Sequence, residues 1–275
     1  MPGHVAAMRQ TQLLLALVLT ALFAFADGAS AADESTLVDA PDAVEAREIV
    51  FDVGLGARLQ PVFPSSQKYE VVPMPLFGMH FLRLPFFGEV VDNDRKPSVF
   101  SIYPSFAFVG ERDDVDASYL AGIPDVDSAI ELGAGVALRY RFVRAFAQVR
   151  YGVTGHSGFV GEGGIQLIHK FLDDRLTLSG GPRVSLASED YMDTYFTVGP
   201  GATVLPQYTA NAGFKDVGVG LQAVYELTER VRVVGHATYT HFVGEAGDSP
   251  IVAAGNKDEL RIGVGLTYRL GFDLY

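Results

Sequence analysis

The sequence predicts an all-β protein, an antiparallel up-and-down transmembrane β-barrel that follows a cleaved signal peptide. Three observations lead to this fold class. Apolar residues alternate with polar or small ones in many segments, most clearly over residues 261–272. The N-terminus has the pattern of an export signal. After it, no apolar run approaches the 18 residues of a spanning helix, so the chain would have to span a membrane with strands.

The N-terminal 31 residues have the three parts of a secretory signal. Arg9 gives the positive charge, residues 13–26 form an apolar run, and Ala29-Ser30-Ala31 provides small residues before a cleavage site. Residues 32–47 are acidic, contain Pro41 and have no clear period, so we interpret them as a periplasmic N-terminal extension. Residues 48–275 are then the outer-membrane β-barrel domain.

Ten strands are favoured, and twelve are the alternative. The segment 69–87 contains several prolines and is either one bent strand or a hairpin that turns near Gly78. Twelve strands result if it is a hairpin and residues 191–198 also form a strand. The ten-strand count places all short turns at the periplasmic end and all long loops outside, as in barrels of this kind. The short turns are 142–144, 172–175 and 227–229, and the long loops are 111–127, 187–213 and 244–259. A soluble β-sandwich also has alternating strands, but arginines beside glycines on the polar faces favour a crowded lumen.

Composition and motifs argue against catalysis and against nucleic acid. The formal net charge of −12 disfavours a nucleic-acid partner, and the absence of cysteine removes disulfide and thiolate chemistry. His156 and Ser157 are adjacent in a polar turn, where their side chains rarely point at each other. We therefore predict that the protein is not an enzyme.

No metal or other cofactor is predicted. His236 and His241 are five residues apart, on opposite faces of a strand, and His80 and His169 have no partner in the sequence. The acidic segment 111–116 lacks the glycine turn and closing glutamate of a calcium loop. We interpret it as a solvated outer loop that can share divalent cations with lipopolysaccharide phosphates.

The predicted lumen has a distinct charge pattern. The register of the strands turns many arginines and fewer carboxylates inward. The lumen-facing candidates are Arg58, Arg139, Arg141, Arg150, Arg183, Arg232, Arg261, Glu131 and Glu162. These groups either pair and fill the barrel as a polar core, or line a narrow path that favours anions. Because small barrels are filled by side chains and open channels occur near sixteen strands, the filled lumen is favoured.

Several segments, ordered along the mature chain, resemble the MipA/OmpV family (MltA-interacting protein). They are Gly181-Pro182-Arg183-Val184-Ser185-Leu186-Ala187-Ser188-Glu189-Asp190-Tyr191-Met192-Asp193-Thr194-Tyr195-Phe196, Leu205-Pro206, Ala212-Gly213-Phe214-Lys215-Asp216-Val217-Gly218, Asp248-Ser249-Pro250-Ile251-Val252 and Gly263-Val264-Gly265-Leu266-Thr267-Tyr268-Arg269. At its end the chain departs from the family pattern, because Leu270 and five further residues follow Arg269.

The resemblance implies an outer-membrane barrel of a Gram-negative bacterium that contacts membrane lipid and lipopolysaccharide. It also implies a non-enzymatic scaffold linked to peptidoglycan remodelling, with a lytic transglycosylase and a murein synthase as partners. The alternatives are a narrow small-solute or anion pore, and a surface adhesin or envelope-stress-linked barrel. The sequence does not determine the oligomeric state.

Overall fold

The computed structural model describes residues 49–84, 88–92, 100–114 and 117–272. The predicted signal peptide (1–31) and N-terminal extension (32–47) lie outside these residues, as does the tail after Phe272. Within the described part, no helix combines the length and apolar character needed to cross a membrane.

The described strands form a single antiparallel sheet. In sheet order they are β3, β2, β1, β11, β10, β9, β8, β7, β6, β5 and β4. Their bounds are β1 (Ile49–Pro61), β2 (Tyr69–Leu84), β3 (Gly88–Asp92), β4 (Phe100–Val109), β5 (Ala129–Tyr140), β6 (Val143–Gly152), β7 (Phe159–Phe171), β8 (Leu176–Ala187), β9 (Gly213–Glu226), β10 (Val231–Phe242) and β11 (Asp258–Phe272).

The strands occupy ten positions around a curled wall, as the favoured count predicts. The short β3 is antiparallel to β2, and β4 is antiparallel to β5, so alternation along the sheet gives β3 and β4 the same direction. The five-residue β3 lies at one edge of the sheet and β4 at the other, and ten of the described strands have ten residues or more. The segment after Tyr69 is one strand to Leu84, and no hairpin turns at Gly78.

The two edges of the sheet, β2 with β3 on one side and β4 on the other, face each other along a line that we call the seam. Gly110, directly after β4, lies so close to Val62 after β1 that an added Cβ would overlap its carbonyl oxygen. Within the described residues, no hydrogen-bonded ladder joins β2 or β3 to β4. The sheet is thus strongly curled, and its two sides approach each other at the cap end, where Gly110 lies beside Val62.

Three prolines lie on the strands that border the seam: Pro73 and Pro75 in β2 and Pro104 in β4. The ladders from β2 to β1 and from β4 to β5 pass these positions without interruption. By contrast, pairing between β7 and β8 lapses at Gly181 and Pro182. Proline has no backbone N–H to donate to a ladder. We therefore infer that the nitrogens of Pro73, Pro75 and Pro104, which we call the seam prolines, point away from the paired strand and towards the seam.

The outward face of the wall is apolar. Large apolar side chains are solvent-exposed on the strands, whereas the residues between them point inward and are more buried. This is the alternation expected when lipid surrounds a barrel. The exposed residues of this belt include Leu55, Ile102, Leu138, Ile165, Leu221, Val264 and Leu266.

The two ends of the barrel differ. One end, the turn end, has the short connections 141–142, 172–175 and 227–230. The other, the cap end, has the longer connections 62–68, 110–128, 153–158, 188–212 and 243–257. The turn-length rule places the turn end in the periplasm.

The connection predicted as a loop or strand over 187–213 contains a helix, which corrects both alternatives. This helix, α1 (Glu189–Phe196), has acidic residues in its first turn, where they favour the helix dipole. Tyr191, Met192, Tyr195 and Phe196 share its buried face. Two shorter helices, α2 (Gly244–Gly247) and α3 (Pro250–Ala254), lie in the last connection.

Candidate functional site

The upper half of the lumen, next to the cap end, contains a network of buried charges. Arg150 Nε donates to Glu131 Oε2 at 2.9 Å, and Arg150 Nη1 lies 3.8 Å from Glu162 Oε2. Arg183 forms an ion pair with the same Glu162. Strands β5 to β8 place these groups because their inward positions alternate with the outward belt. The network joins four neighbouring strands from the inside.

The lower half of the lumen contains a second network. Asp52 Oδ2 accepts from Arg232 Nη1 at 2.9 Å, and Asp52 Oδ1 lies 3.4 Å from Arg269 Nε. Glu226 Oε1 lies 3.3 Å from Arg232 Nε. Arg144 Nη1 donates to Gln166 at 2.8 Å. Each of these side chains occupies space that a pore would need.

Apolar side chains fill part of the same half. Met74 and Leu76 of β2 form a buried cluster with Val224 of β9 and Val234 of β10. The close pair Gly56 and Gly265 makes room for them, because a Cβ on Gly56 would come within 2.9 Å of Met74 Cε and one on Gly265 within 2.7 Å of Leu76 Cδ1. The bore is thus a packed core of ion pairs and aliphatic chains.

The long connections fold into a cap over the upper end. Its apolar core contains the buried face of α1 together with residues of other connections and strand ends, including Val126, Val160, Ala210, Phe242, Ala246 and Val252. A second cluster, with Phe63, Leu120, Ile123, Val198 and Ile251, extends it. Sequence reasoning missed this cap. Its signal was the helical spacing of the apolar residues of α1 after Ser188, a residue type common at helix N-caps.

Arg112 connects two parts of the cap. Its guanidinium donates to the carbonyl oxygens of Tyr195 at 2.8 Å, Thr194 at 3.1 Å and Pro124 at 3.3 Å. A cation at the C-terminal end of α1 also compensates the helix dipole. Burial lowers the pKa of Arg112, but from a value so high that the group stays protonated at neutral pH.

His156 lies in a different environment from the one its sequence suggests. It is buried between the cap and the lumen, rather than in an open polar turn. Its Nε2 is 3.3 Å from Glu131 Oε1, and its Nδ1 accepts from the Gly158 N–H at 3.1 Å. The ring also makes edge contacts with Tyr191 and Tyr195 of α1. Burial raises the pKa of both tyrosines, so they are neutral at physiological pH.

Most of the lumen-facing candidates point inward, and one does not. Buried in the bore are Arg150, Arg232, Glu131 and Glu162, and half-buried on the same side are Arg58, Arg183 and Arg261. Arg139 is half-buried at the turn end, where its Nε donates to the Arg141 carbonyl. Arg141 is the correction: it is exposed in the β5–β6 turn with a φ of 57°. The strand ends before it, so the alternation no longer determines its direction.

The remaining histidines are not brought together. His236 points into the bore against Gly263, whereas His241 lies beside Asp258, with Nδ1 and Oδ1 2.7 Å apart. His169 is exposed, and the side chain of His80 lies outside the described residues. Among the described residues, no group of three His, Asp or Glu side chains could hold a metal ion.

An apolar outer belt, a bore filled by ion pairs and a folded cap define the chain as an outer-membrane β-barrel. A family model described as "MltA-interacting protein MipA" matches residues 53–270. The chain therefore belongs to the MipA family, as the resemblance predicts, and its location is the outer membrane of a Gram-negative bacterium. Among curated proteins, none matches the chain.

Solved structures to which the chain is similar include three outer-membrane or surface proteins. Neisserial surface protein A is 9% identical over 82% of this chain and 97% of that chain, with a TM-score of 0.28. Outer membrane protein H from P. aeruginosa is 13% identical over 80% and 99%, with a TM-score of 0.33. The attachment invasion locus protein Ail of Yersinia pestis is 10% identical over 82% and 99%, with a TM-score of 0.24. At these identities and TM-scores, the similarity supports no conclusion about the fold or function of this chain.

Proposed function

We propose that this protein is a non-enzymatic scaffold of the outer membrane that binds a murein-remodelling enzyme at its turn end. The family description names an interaction with MltA, and this description supports a lytic transglycosylase as the partner. A murein synthase is the second partner that the family resemblance implies. Outer-membrane lipid around the belt and lipopolysaccharide near the cap complete the proposed contacts.

The observation that carries the proposal is the filled bore. Ion pairs, aliphatic side chains and the cap occupy the lumen, so they leave little space for a solute to pass through it. The surfaces that remain for a function are the two ends. Of these, the turn end is the one that faces the periplasm, where murein and its enzymes are located.

The turn end has a composition that suits protein binding. Each of its three short turns places an arginine within a few residues of an exposed large apolar side chain. Aromatic residues and arginine are enriched at protein interfaces, and arginine is common among their hot spots. The pairs are Phe142 (56% exposed) with Arg141, Leu172 (63%) with Arg175, and Leu227 (49%) with Arg230. We call these six residues the turn rim.

The test is retention of a purified lytic transglycosylase by the immobilised full-length mature barrel in mild detergent. We expect wild-type retention, and a loss of about tenfold or more in affinity for Phe142→Ser with Arg141→Glu, since hot-spot truncations cost about 2 kcal/mol. The matched control is Val204→Ser, an exposed apolar residue of the cap end, which should leave retention unchanged. Absence of wild-type retention, or equal losses in both variants, would overturn the proposal.

A narrow anion pore is the second candidate, and the excess of arginine in the lumen favours it. Planar-bilayer recording distinguishes it from a scaffold. Stepwise conductance of the wild-type barrel would support the pore. A silent bilayer together with enzyme retention would support the scaffold.

A further inference from the structure

The side chain of His156 connects the cap with the upper ion-pair network. Its imidazole is fully buried. On the side of the bore, Nε2 lies 3.3 Å from Glu131 Oε1. On the side of the cap, the ring meets Tyr191 and Tyr195 of α1 edge-on, with centroid distances of 4.9 and 5.5 Å. A change in the charge of this ring would therefore act on the cap and on the network together.

The contacts of the ring define where its proton is. Nδ1 accepts a hydrogen bond from the Gly158 N–H at 3.1 Å, and a ring nitrogen that accepts carries no proton. The proton of the neutral ring is therefore on Nε2, beside the Glu131 carboxylate. A second proton can bind only at Nδ1, where it would face the Gly158 N–H. The charged ring and this hydrogen bond thus exclude each other.

Gly158 is the residue that links the state of the ring to α1. Its carbonyl oxygen accepts from the Gly152 N–H at 3.0 Å, which closes the connection 153–158. It also lies so close to α1 that an added Cβ would overlap the backbone nitrogen of Tyr191. The ring itself has little room to shift, because it lies where a Cβ on Gly152 would be. If the Gly158 N–H turns away from a protonated ring, its contact with α1 therefore changes as well.

The charged groups around the ring already have partners. Glu131, the carboxylate in contact with it, forms an ion pair with Arg150 Nε at 2.9 Å. From β9, Lys215 lies over the Tyr191 ring, with Nζ 5.3 Å from the centroid, and forms an ion pair with Asp216. The tyrosines of α1 are neutral at physiological pH. A positive charge on the ring would thus enter a buried set of paired groups, which is costly.

We propose that His156 is a pH-sensitive switch that controls how tightly α1 is held in the cap. With a neutral ring, the Gly158 hydrogen bond keeps the connection 153–158 against α1. When the ring takes up a proton, this bond is lost and α1 is held less tightly. Histidine is the side chain that ordinarily changes its charge between about pH 5 and 8, so mild acidification is the stimulus that we expect. The inference is independent of the proposed scaffold function, since it concerns the cap and not the turn rim.

The first experiment follows the ring and its partner by NMR in the wild-type mature barrel in micelles. Imidazole nitrogen shifts distinguish the two neutral tautomers from the charged ring, and the Gly158 amide shift reports its hydrogen bond. We expect the Nε2–H tautomer at about pH 7.5, and loss of the Gly158 hydrogen bond in step with protonation of the ring towards about pH 5. A ring that stays neutral over this range, or a charged ring with the hydrogen bond intact, would overturn the proposal.

The second experiment measures hydrogen exchange of α1 at the same two pH values, corrected for the intrinsic pH dependence of exchange. In the wild type, we expect protection of α1 to fall about tenfold on acidification, as for the loss of one hydrogen bond. Glutamine has an amide oxygen that accepts and an amide N–H that donates, but it does not titrate. His156→Gln should therefore keep α1 protected at both pH values. His169→Gln, at an exposed position of β7, is the matched control and should behave as wild type.

The comparison of these variants separates the switch from a general effect of acid on carboxylates. Equal loss of protection in His156→Gln and wild type would show that another group causes the pH dependence, and would contradict the proposal. A rise of protection in the wild type on acidification would mean that the charged ring strengthens its contact with Glu131, and would contradict it too. If His156→Gln does not fold, the NMR measurement on the wild type still decides.

Discussion

Asp52 offers the sharpest test of a filled lumen. Its carboxylate is buried against the Arg232 guanidinium at 2.9 Å and is 3.4 Å from Arg269. Removal of one partner of a buried pair typically costs about 3–5 kcal/mol, because the other charge is left uncompensated. Arg232 keeps Glu226 at 3.3 Å. We therefore expect Asp52→Leu to lower the free energy of unfolding by an amount near the lower limit, about 3 kcal/mol.

A double-mutant cycle makes this prediction specific. Asp52→Leu together with Arg232→Met replaces both partners by apolar groups, and a buried pair replaced in this way is often neutral. We expect the double variant to lose only about 1 kcal/mol, less than Asp52→Leu alone. The difference between this loss and the sum of the two single-variant losses is the coupling energy between the two sites. The assay is urea unfolding of the barrel in micelles, followed by circular dichroism. Glu229→Gln, in an exposed turn, is the control.

The reasoning fails if Asp52→Leu stays within about 0.5 kcal/mol of wild type, a value typical of solvated surface pairs. That result would mean that water fills the bore and screens its charges. It would favour the pore over the packed core.

Two further predictions concern the cap. Arg112→Met should lower the unfolding free energy by about 2–5 kcal/mol and speed hydrogen exchange in α1, because it leaves the buried Tyr195 carbonyl and two partly buried carbonyls without their donor. Unchanged exchange would contradict the role of Arg112. Burial and a hydrogen bond to Glu245 raise the pKa of Tyr208 to about 12, above its unfolded value of 10.0. The raised pKa favours the neutral hydroxyl of Tyr208 in the folded state. The contribution of this residue to stability is therefore complete below pH 10 and is lost as pH rises towards 12. Tyr208→Phe should remove this pH dependence from the denaturation curves.

Alternation was sufficient to predict the wall of the barrel. Along β5, for example, Glu131 and Leu138 differ in face because side chains of a strand alternate, and the same rule identified the buried Arg150 and Arg232. The alternation of side chains applies only within a strand and ends where the strand ends. Arg141 lies one residue after β5, in a turn where it has a positive φ and is exposed.

The cap could not be derived in the same way, because its contacts are between residues distant in sequence. Arg112 meets carbonyls more than 80 residues further along the chain, and Ser65 N–H donates to Glu259 at 2.8 Å. His156 is buried for the same reason, since α1 folds over it from another connection. Local spacing could indicate the helix itself, but not the surface on which it packs.

The most direct test of the barrel in its membrane uses single tryptophans, because the chain has none of its own. Ile102 and Ser101 are neighbours on β4 at nearly the same depth, and they point to opposite faces. In vesicles of brominated lipid, tryptophan at position 102 should be strongly quenched and tryptophan at position 101 should be protected. Equal quenching at the two positions, or none at position 102, would contradict a barrel whose apolar face contacts lipid and whose arginines lie inside.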